Sequence, residues 1–326
     1  MYAQKIPFTL VEYNCENLFD CRHDSLKDDY EFLPDADKHW TFGRYWKKVN
    51  NIGRVVHQCG GVGDKWQLPD LVALVEVEND STLFMLSRRS MLRGAGYRFL
   101  MTNSEDARGV DVALMYNPFT FKPLEHHSLK VVPPKGERKT RDVLYVRGMV
   151  VTGAEMHVFV VHAPSRGGGQ LETDGYRLAV ARRVMETVDS IRSVDTDANI
   201  IVAGDFNDYT YNKSLRYYKN KGLADVSEKA VGLNFTRRNK KGREVLNTGC
   251  TGTYKYQGEW NSLDHILLSE PLRAMVSECF IYDAQWLLEK DSQGGYKPFR
   301  NYLGPIYHGG ISDHLPLVLR LLFPAE

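Results

Sequence analysis

Hydrogen-bonding and ionisable residues stand at the ends of short apolar runs at five places in the chain. Asn14 follows Thr9–Tyr13, Glu76 follows Leu71–Val75, His162 follows Val158–Val161, Asp205 and Asn207 follow Ile200–Gly204, and Asp313 and His314 precede Leu315–Leu322. Open α/β sheets gather their ligand sites at the carboxyl ends of strands. Taken singly, each residue has an ordinary explanation, since a carboxylate after a strand often caps a helix and a lone histidine is often structural. Their joint occurrence is what matters. Burying Glu76, Asp205 and Asp313 together sets like charges against one another and against desolvation, a conflict that a hard divalent cation removes. The set is rich in oxygen and has neither a thiolate nor a His-x-x-x-His pair, which favours Mg²⁺, with Mn²⁺ as substitute, over zinc. Two histidines beside such an ion suit acid–base work. The chemistry that fits is metal-assisted attack of water on a phosphate ester.

The elements that must position these groups read as α/β. Phe8–Tyr13, Leu71–Val75, Val110–Tyr116, Val143–Val151, His157–Val161, Ile200–Ala203, His265–Leu268 and Leu315–Leu322 have the composition of buried strands. Helical spacing appears at Tyr45, Val49, Ile52 and Val56 and again at Leu178, Ala181, Val184, Val188 and Ile191. Shorter helices are expected from Ser81 and over Asn212–Tyr218. Several strands follow one another without a helix between them, which disfavours strict βα alternation and favours mixed sheets. No repeat or Pro/Ser-rich linker divides the 326 residues, so a single domain over 1–326 is expected.

Six segments carry a specific resemblance. Tyr13-Asn-Cys-Glu-Asn-Leu-Phe-Asp, Val75-Glu76, Val161-His-Ala-Pro-Ser-Arg-Gly-Gly, Gly204-Asp-Phe-Asn-Asp, Ser262-Leu-Asp-His-Ile-Leu and Ser312-Asp-His-Leu-Pro resemble, in order, the motifs of the endonuclease/exonuclease/phosphatase superfamily. The resemblance implies a four-layer α/β sandwich, two mixed β-sheets packed face to face and flanked by helices, with a metal site at one edge. It implies metal and phosphate roles for Asn14 and Glu76, with Glu76 the principal Mg²⁺ ligand and Asp313 a second carboxylate beside the metal. Asp205 and Asn207 resemble the pair that orients the attacking water. His314 resembles the imidazole on the scissile phosphate, Asp264 the carboxylate that fixes its tautomer, and His162 a second catalytic histidine that could protonate the leaving oxygen. Deoxyribonuclease-like relatives orient that second histidine with a glutamate. None is evident here, and Asp111 is the substitute by position, although a turn also accounts for an aspartate there. Tyr116 stands at the wrong end of its strand for the tyrosine of abasic-site enzymes.

Arg108 and Arg166 are candidate substrate contacts because a guanidinium matches phosphate oxygens, with a solvated loop arginine as the alternative for each. Gly167-Gly-Gly reads as a flexible loop more than a phosphate cradle, since no Lys-Ser/Thr follows it. Arg237-Arg-Asn-Lys-Lys-Gly-Arg is either a solvated hairpin tip or a nucleic-acid contact. Trp40, Tyr45, Trp46 and Trp260 are candidates for a substrate rim on which bases stack, Tyr45 fitting the core better. Asp20–His39 lacks periodicity and reads as a long loop near the site.

A net charge of +1 excludes a protein that coats nucleic acid nonspecifically but allows a local basic groove. The five cysteines form no CxxC pair, so neither a zinc knuckle nor a fully paired disulfide framework is indicated. No apolar run approaches the ~20 residues of a membrane span, and Met1-Tyr-Ala-Gln-Lys lacks the apolar core of a leader. The compartment stays open between cytoplasmic and exported after leader removal, and a monomer is expected. The leading expectation is a DNase-like phosphodiesterase with nucleic acid as partner. A lipid or small-molecule phosphate ester is the alternative within the chemistry, and an inactive binding module of the same fold is the alternative outside it.

Overall fold

Val-, Ile- and Leu-rich runs that lack helical spacing form the inner strands, and less apolar segments the edge strands, of two six-stranded sheets in the computed structural model, which describes residues 4–61, 66–134 and 139–325. We number these strands β1 Lys5–Leu18, β2 Leu71–Val77, β3 Arg98–Met101, β4 Asp111–Tyr116, β5 Phe121–Leu129, β6 Val143–Val150, β7 Glu155–His162, β8 Ile200–Asp205, β9 Ala224–Asp225, β10 Asp264–Leu268, β11 Val276–Ile281 and β12 Leu317–Pro324. The first sheet has the order β11-β12-β1-β2-β4-β3 and the second β5-β6-β7-β8-β10-β9. Both are mixed, with one parallel pair in each, β1 with β2 and β7 with β8. All eight expected strands are present. The sequence reading missed β3, β5, β9 and β11. Strand β5 shows why: it is an edge strand, mostly exposed and carrying Lys122, Pro123 and Glu125, and an edge needs charge and proline more than apolar alternation.

The helices are α1 Phe42–Cys59, α2 Asp80–Phe84, α3 Gln170–Val194, α4 Lys213–Asn220 and α5 Glu270–Arg273. Strand alternation divides the core into two layers. Ile201 and Ala203 of β8 join β1, β2, β7 and α1 residues in the larger cluster between and beside the sheets. Ile200 and Val202 face the other way, onto Val180, Ala181, Val184, Met185 and Val188 of α3 and onto Leu215 of α4. Helix α2 begins one residue before Ser81, because the Asn79 side chain caps it by accepting from the Thr82 backbone N–H at 2.9 Å. Among the described residues no helix is long and apolar enough to cross a membrane. All five cysteines belong to the larger core cluster or pack against it, and all are free thiols. Met1, Tyr2 and Ala3, part of the segment read for a leader, lie outside the described residues.

The expected aromatic rim is mostly core. Trp40 is fully buried and donates its indole N–H to the Phe19 carbonyl at 3.0 Å. Tyr45 is buried too, and Trp46 packs against the core. The Asp20–His39 loop is anchored by Phe32, which stacks on Phe19 with ring centres 4.1 Å apart. Its Lys27 ammonium donates to the carbonyls of Ser104 and Asp106 at 2.5 and 3.1 Å, so it braces the loop that carries Arg108.

Candidate active site

Three neighbouring strands of the second sheet bring their functional residues into register. On β8, Asp205 pairs directly with His162 on β7 and with Asp264 on β10. The first sheet supplies Asn14 from β1, whose side-chain N–H donates to Asp205 Oδ2 at 3.1 Å and so ties the two sheets together at their edge. Ser312, just ahead of β12, donates its hydroxyl to the Asn14 carbonyl at 2.7 Å.

Backbone irregularities aim the side chains. The β1–β2 register shifts between Asn14 and Leu18, and the β2–β4 register shifts between Val75 and Val77. Within these bulges Glu16, Asn17 and Glu76 have φ of 49°, 60° and 62°, and Asn207 beyond β8 has φ of 50°. Non-glycine residues in this left-handed region are strained, and bulges re-aim side chains out of the strand alternation. Glu76 thereby turns toward Asn17 and Arg108, accepting at Oε2 from the Asn17 backbone N–H at 2.8 Å and from Arg108 at 3.0 Å.

On one wall of the cleft His314 Nδ1 meets Asp264 Oδ2 at 2.7 Å, and Thr253 donates its hydroxyl to the same oxygen. Burial works against charge on this imidazole, but Asp264, with Asp313 and Asp205, raises its pKa well above the ordinary histidine value. The Tyr254 ring lies against it, centres 5.0 Å apart. On the opposite wall His162 Nε2 lies 3.1 Å from Arg141, 3.8 Å from Glu76 Oε1 and 3.9 Å from Asp205 Oδ2. Burial, then the charges of Arg141, Arg108 and His314, push its pKa well below the ordinary value. An imidazole biased toward the neutral form is suited to accept a hydrogen bond, and its Nε2 accepts from the Arg141 guanidinium.

Between the walls, Asp205 is raised to about 7 by burial and by the Asp264 charge. The Asn207 backbone N–H donates to its Oδ1 at 2.8 Å, and the Asn207 side chain donates to the Ala163 carbonyl at 3.1 Å. For Glu76, burial opposes ionisation, yet Arg108, Arg141 and His314 together hold its carboxyl below the usual value. Beneath the site Glu12 is wholly buried, and neither of its carboxyl oxygens meets a donor among the described residues. Burial, then Asp264 and Asp205, raise its pKa well above the usual value. This crowd of buried carboxyls is the electrostatic situation that a cation relieves, and the oxygen donors fit a hard divalent ion. Among the described residues, Asp205, Asp264 and His314 bring potential ligand atoms within 4.8 Å of one another. The expected ligand Asp313 instead accepts from Arg300 at 2.8 Å, while Asn14 Oδ1 accepts from the Glu16 backbone N–H at 2.8 Å.

Asn14, Glu76, Asp205, Asn207, Asp313 and His314 share a cleft of about 590 Å³ with Arg166 and Gly167. Arg166 donates to the Asn207 carbonyl at 2.8 Å and to Asn212 Oδ1 at 2.9 Å, and its guanidinium lies 3.9 Å from the Tyr209 ring centre. Asp111 is corrected. Its carboxylate accepts from the Thr102 hydroxyl at 2.5 Å and the Ser104 backbone N–H at 3.0 Å, which fixes the loop after β3 and leaves His162 to Arg141. Gly168 and Gly169, with φ of 140° and 104°, form the turn into α3. Arg237, Arg238, Lys240, Lys241 and Arg243 are exposed on the Thr236–Arg238/Glu244–Leu246 hairpin, outside the cleft lining. The sequence reading also missed Glu12, Arg141, Thr253 and Arg300. Only Glu12, a charge inside the apolar run of β1, left a signal.

Comparison with known proteins agrees with this architecture. The profile described as "Endonuclease/Exonuclease/phosphatase family" matches residues 9–322. Protein angel of Drosophila melanogaster is 24% identical over 204 residues, covering 62% of this chain and 54% of that protein, so the match spans about half the length of the curated relative. An endonuclease/exonuclease/phosphatase family protein from Bacteroides thetaiotaomicron superposes with a TM-score of 0.61 at 18% identity, over 98% of this chain and 99% of that one. A mannosyl-6-phosphatase of the same species superposes with a TM-score of 0.57 at 17% identity, over 97% and 99%.

Proposed function

The chain belongs to the endonuclease/exonuclease/phosphatase family, and from that premise we propose that it hydrolyses a phosphate ester by in-line attack of water at the Asp205–His314 cleft. The observation that carries this reading is the direct register of His162, Asp205 and Asp264 across three strands, with Asn14 bonded to Asp205 from the facing sheet. Asp205, pinned by Asn14 and the Asn207 backbone and with a pKa of about 7, takes the proton from the attacking water. His314, kept cationic by Asp264, meets the charge that develops on the phosphate oxygens. Neutral His162, its Nε2 accepting from Arg141, lies beside Glu76 and Asp205, and Arg166 meets a phosphate oxygen from the rim. A divalent ion, Mg²⁺ or in its place Mn²⁺, held by Glu76 with Asn14 Oδ1, which keeps a lone pair beyond its bond to the Glu16 N–H, would polarise the phosphate when bound, while Asp313 stays with Arg300.

A DNase-like phosphodiesterase is the first substrate class to test. A small-molecule or lipid ester is the second reading, supported by the net charge of +1 and by the position of the densest basic run outside the cleft lining. The test is turnover in Mg²⁺ and Mn²⁺ of plasmid DNA, an abasic-site duplex, bis-p-nitrophenyl phosphate, p-nitrophenyl phosphate, sphingomyelin and inositol polyphosphates, with Glu76→Ala as blank. DNA cleavage lost in the blank supports the nuclease. Turnover confined to small esters or lipid keeps the mechanism and removes nucleic acid. No Glu76-dependent turnover of any ester overturns the enzymatic reading.

A further inference from the structure

A second pocket, of about 270 Å³, opens beside the catalytic cleft and shares Tyr254, Tyr256 and Asp313 with it. Its far side is built by the Leu288–Lys290/Tyr296–Pro298 hairpin and by Arg300. The two spaces meet at Asp313, whose backbone neighbour His314 lies in the cleft and whose carboxylate is bonded to Arg300 in the pocket.

The charges on these walls decide what can enter. Three cations line the pocket, and each already faces a carboxylate. Arg300 pairs with Asp313 at 2.8 Å, Lys255 with Asp291 at 3.1 Å, and Lys297 with Glu289 at 3.6 Å. The Lys255 ammonium also donates to the carbonyls of Gly294 and Tyr296 at 2.9 and 3.0 Å, so it holds the pocket together and has no capacity left for a ligand. A second phosphate in this place would meet no uncompensated positive charge and would lie against Asp291 and Asp313. A neutral group that exchanges hydrogen bonds in both directions meets what it needs. Gln257, Ser292 and Gln293 offer donors and acceptors at the rim, and Tyr254 and Tyr256 offer aromatic faces and hydroxyls.

We infer that this pocket is a subsite for a neutral, polyhydroxylated group, a sugar or polyol carrying the phosphate ester cleaved next door. The inference rests on the phosphoester hydrolysis proposed above and names the alcohol side of the substrate. A site that satisfies hydroxyl groups discriminates strongly against an alcohol that lacks them, because its own polar atoms are then left unpaired.

The test uses Ser292→Trp, which fills the pocket from an exposed turn position and leaves every residue assigned to catalysis in place. Steady-state kinetics compare D-glucose 6-phosphate and D-mannose 6-phosphate with p-nitrophenyl phosphate and with thymidylyl-(3′→5′)-thymidine. Calorimetry measures binding of methyl α-D-glucoside and methyl α-D-mannoside to both proteins. The expected result is a loss of about tenfold or more in kcat/KM for at least one hexose phosphate, carried by KM, with p-nitrophenyl phosphate unchanged and glycoside binding abolished. Equal effects on hexose phosphate and p-nitrophenyl phosphate, or an effect on the dinucleotide alone, overturn the subsite. Wild-type protein that turns over p-nitrophenyl phosphate but neither binds a glycoside nor prefers a hexose phosphate overturns it as well. Should no ester be turned over, the hydrolytic reading fails separately. Glycoside binding lost in Ser292→Trp then still supports the pocket, and absence of binding to wild type overturns it.

Discussion

The two walls of the cleft hold the same side chain in opposite states. His314 lies against a carboxylate, Asp264, and is driven toward the cation, whereas His162 lies against a guanidinium, Arg141, and is driven toward the neutral imidazole. Both are buried, so desolvation alone would lower both. The partner decides, and it is chosen by what stands in register or nearby in space. Asp264 is the cross-strand neighbour of Asp205, while Arg141 precedes β6 and is itself held by Asp106 at 3.1 Å. One residue type is thus biased in opposite directions on the two sides of Asp205.

The strongest way to break this contrast is to remove its members. His314→Ala is expected to lower kcat by about 10⁴-fold, the upper range for a positioned acid or base, against a smaller loss for His162→Ala; equal losses would erase the distinction between the walls. If Glu76 holds the ion as proposed, Glu76→Ala is expected to cost about 10³-fold and to abolish the rise in Tm on adding Mg²⁺, read by calorimetry with and without the ion. Exchanging the partner sharpens the contrast. Asp264→Asn is expected to slow turnover by about 10²-fold and to move the His314 titration, followed by imidazole NMR, down toward the ordinary value of 6.5. Arg141→Met is expected to act more weakly, about tenfold, and to move His162 upward. The smallest effect belongs to Asp111→Asn, which is expected to leave kcat unchanged and to lower stability by about 1 kcal/mol, the value of a hydrogen bond to the loop it fixes.

The walls also carry opposite pH dependences of stability. A raised folded-state pKa means that the folded protein binds the proton more tightly, so the His314 contribution is complete below the unfolded value near 6.5 and is lost as pH rises through the folded value. A lowered one means the reverse, so the His162 contribution is complete above 6.5 and is lost as pH falls through its folded value. Urea unfolding of His314→Gln and His162→Gln from pH 5 to 9 is expected to give differences from wild type that grow toward acid for the first and toward alkali for the second.

The inner strands and the site residues at their ends are legible in the sequence for a physical reason. Buried strands must be apolar throughout, so Ile200–Ala203 and Leu71–Val75 stand out, and a polar residue at their ends stands out against them. Edge strands such as β5 face water and leave no such mark. The same difference separates the residues found from those missed. Asn14, Glu76, Asp205 and His314 lie next to apolar runs, but Arg141 and Arg300 act from loops whose composition is ordinary, and their roles exist only through contacts with residues 21 and 13 positions away. Asp111 shows the converse: it stands at a strand end like the others, and its carboxylate is taken by the local turn.

The hydroxyl bridge from Ser312 to the Asn14 carbonyl joins residues 298 positions apart, and β12, which follows it, is the strand that covers β1 along eight paired positions. The site therefore cannot close around Asn14 until β12, made about 300 residues later, has paired with β1. Closure of this edge is a strongly non-local event, so it is expected to be among the slower steps of refolding.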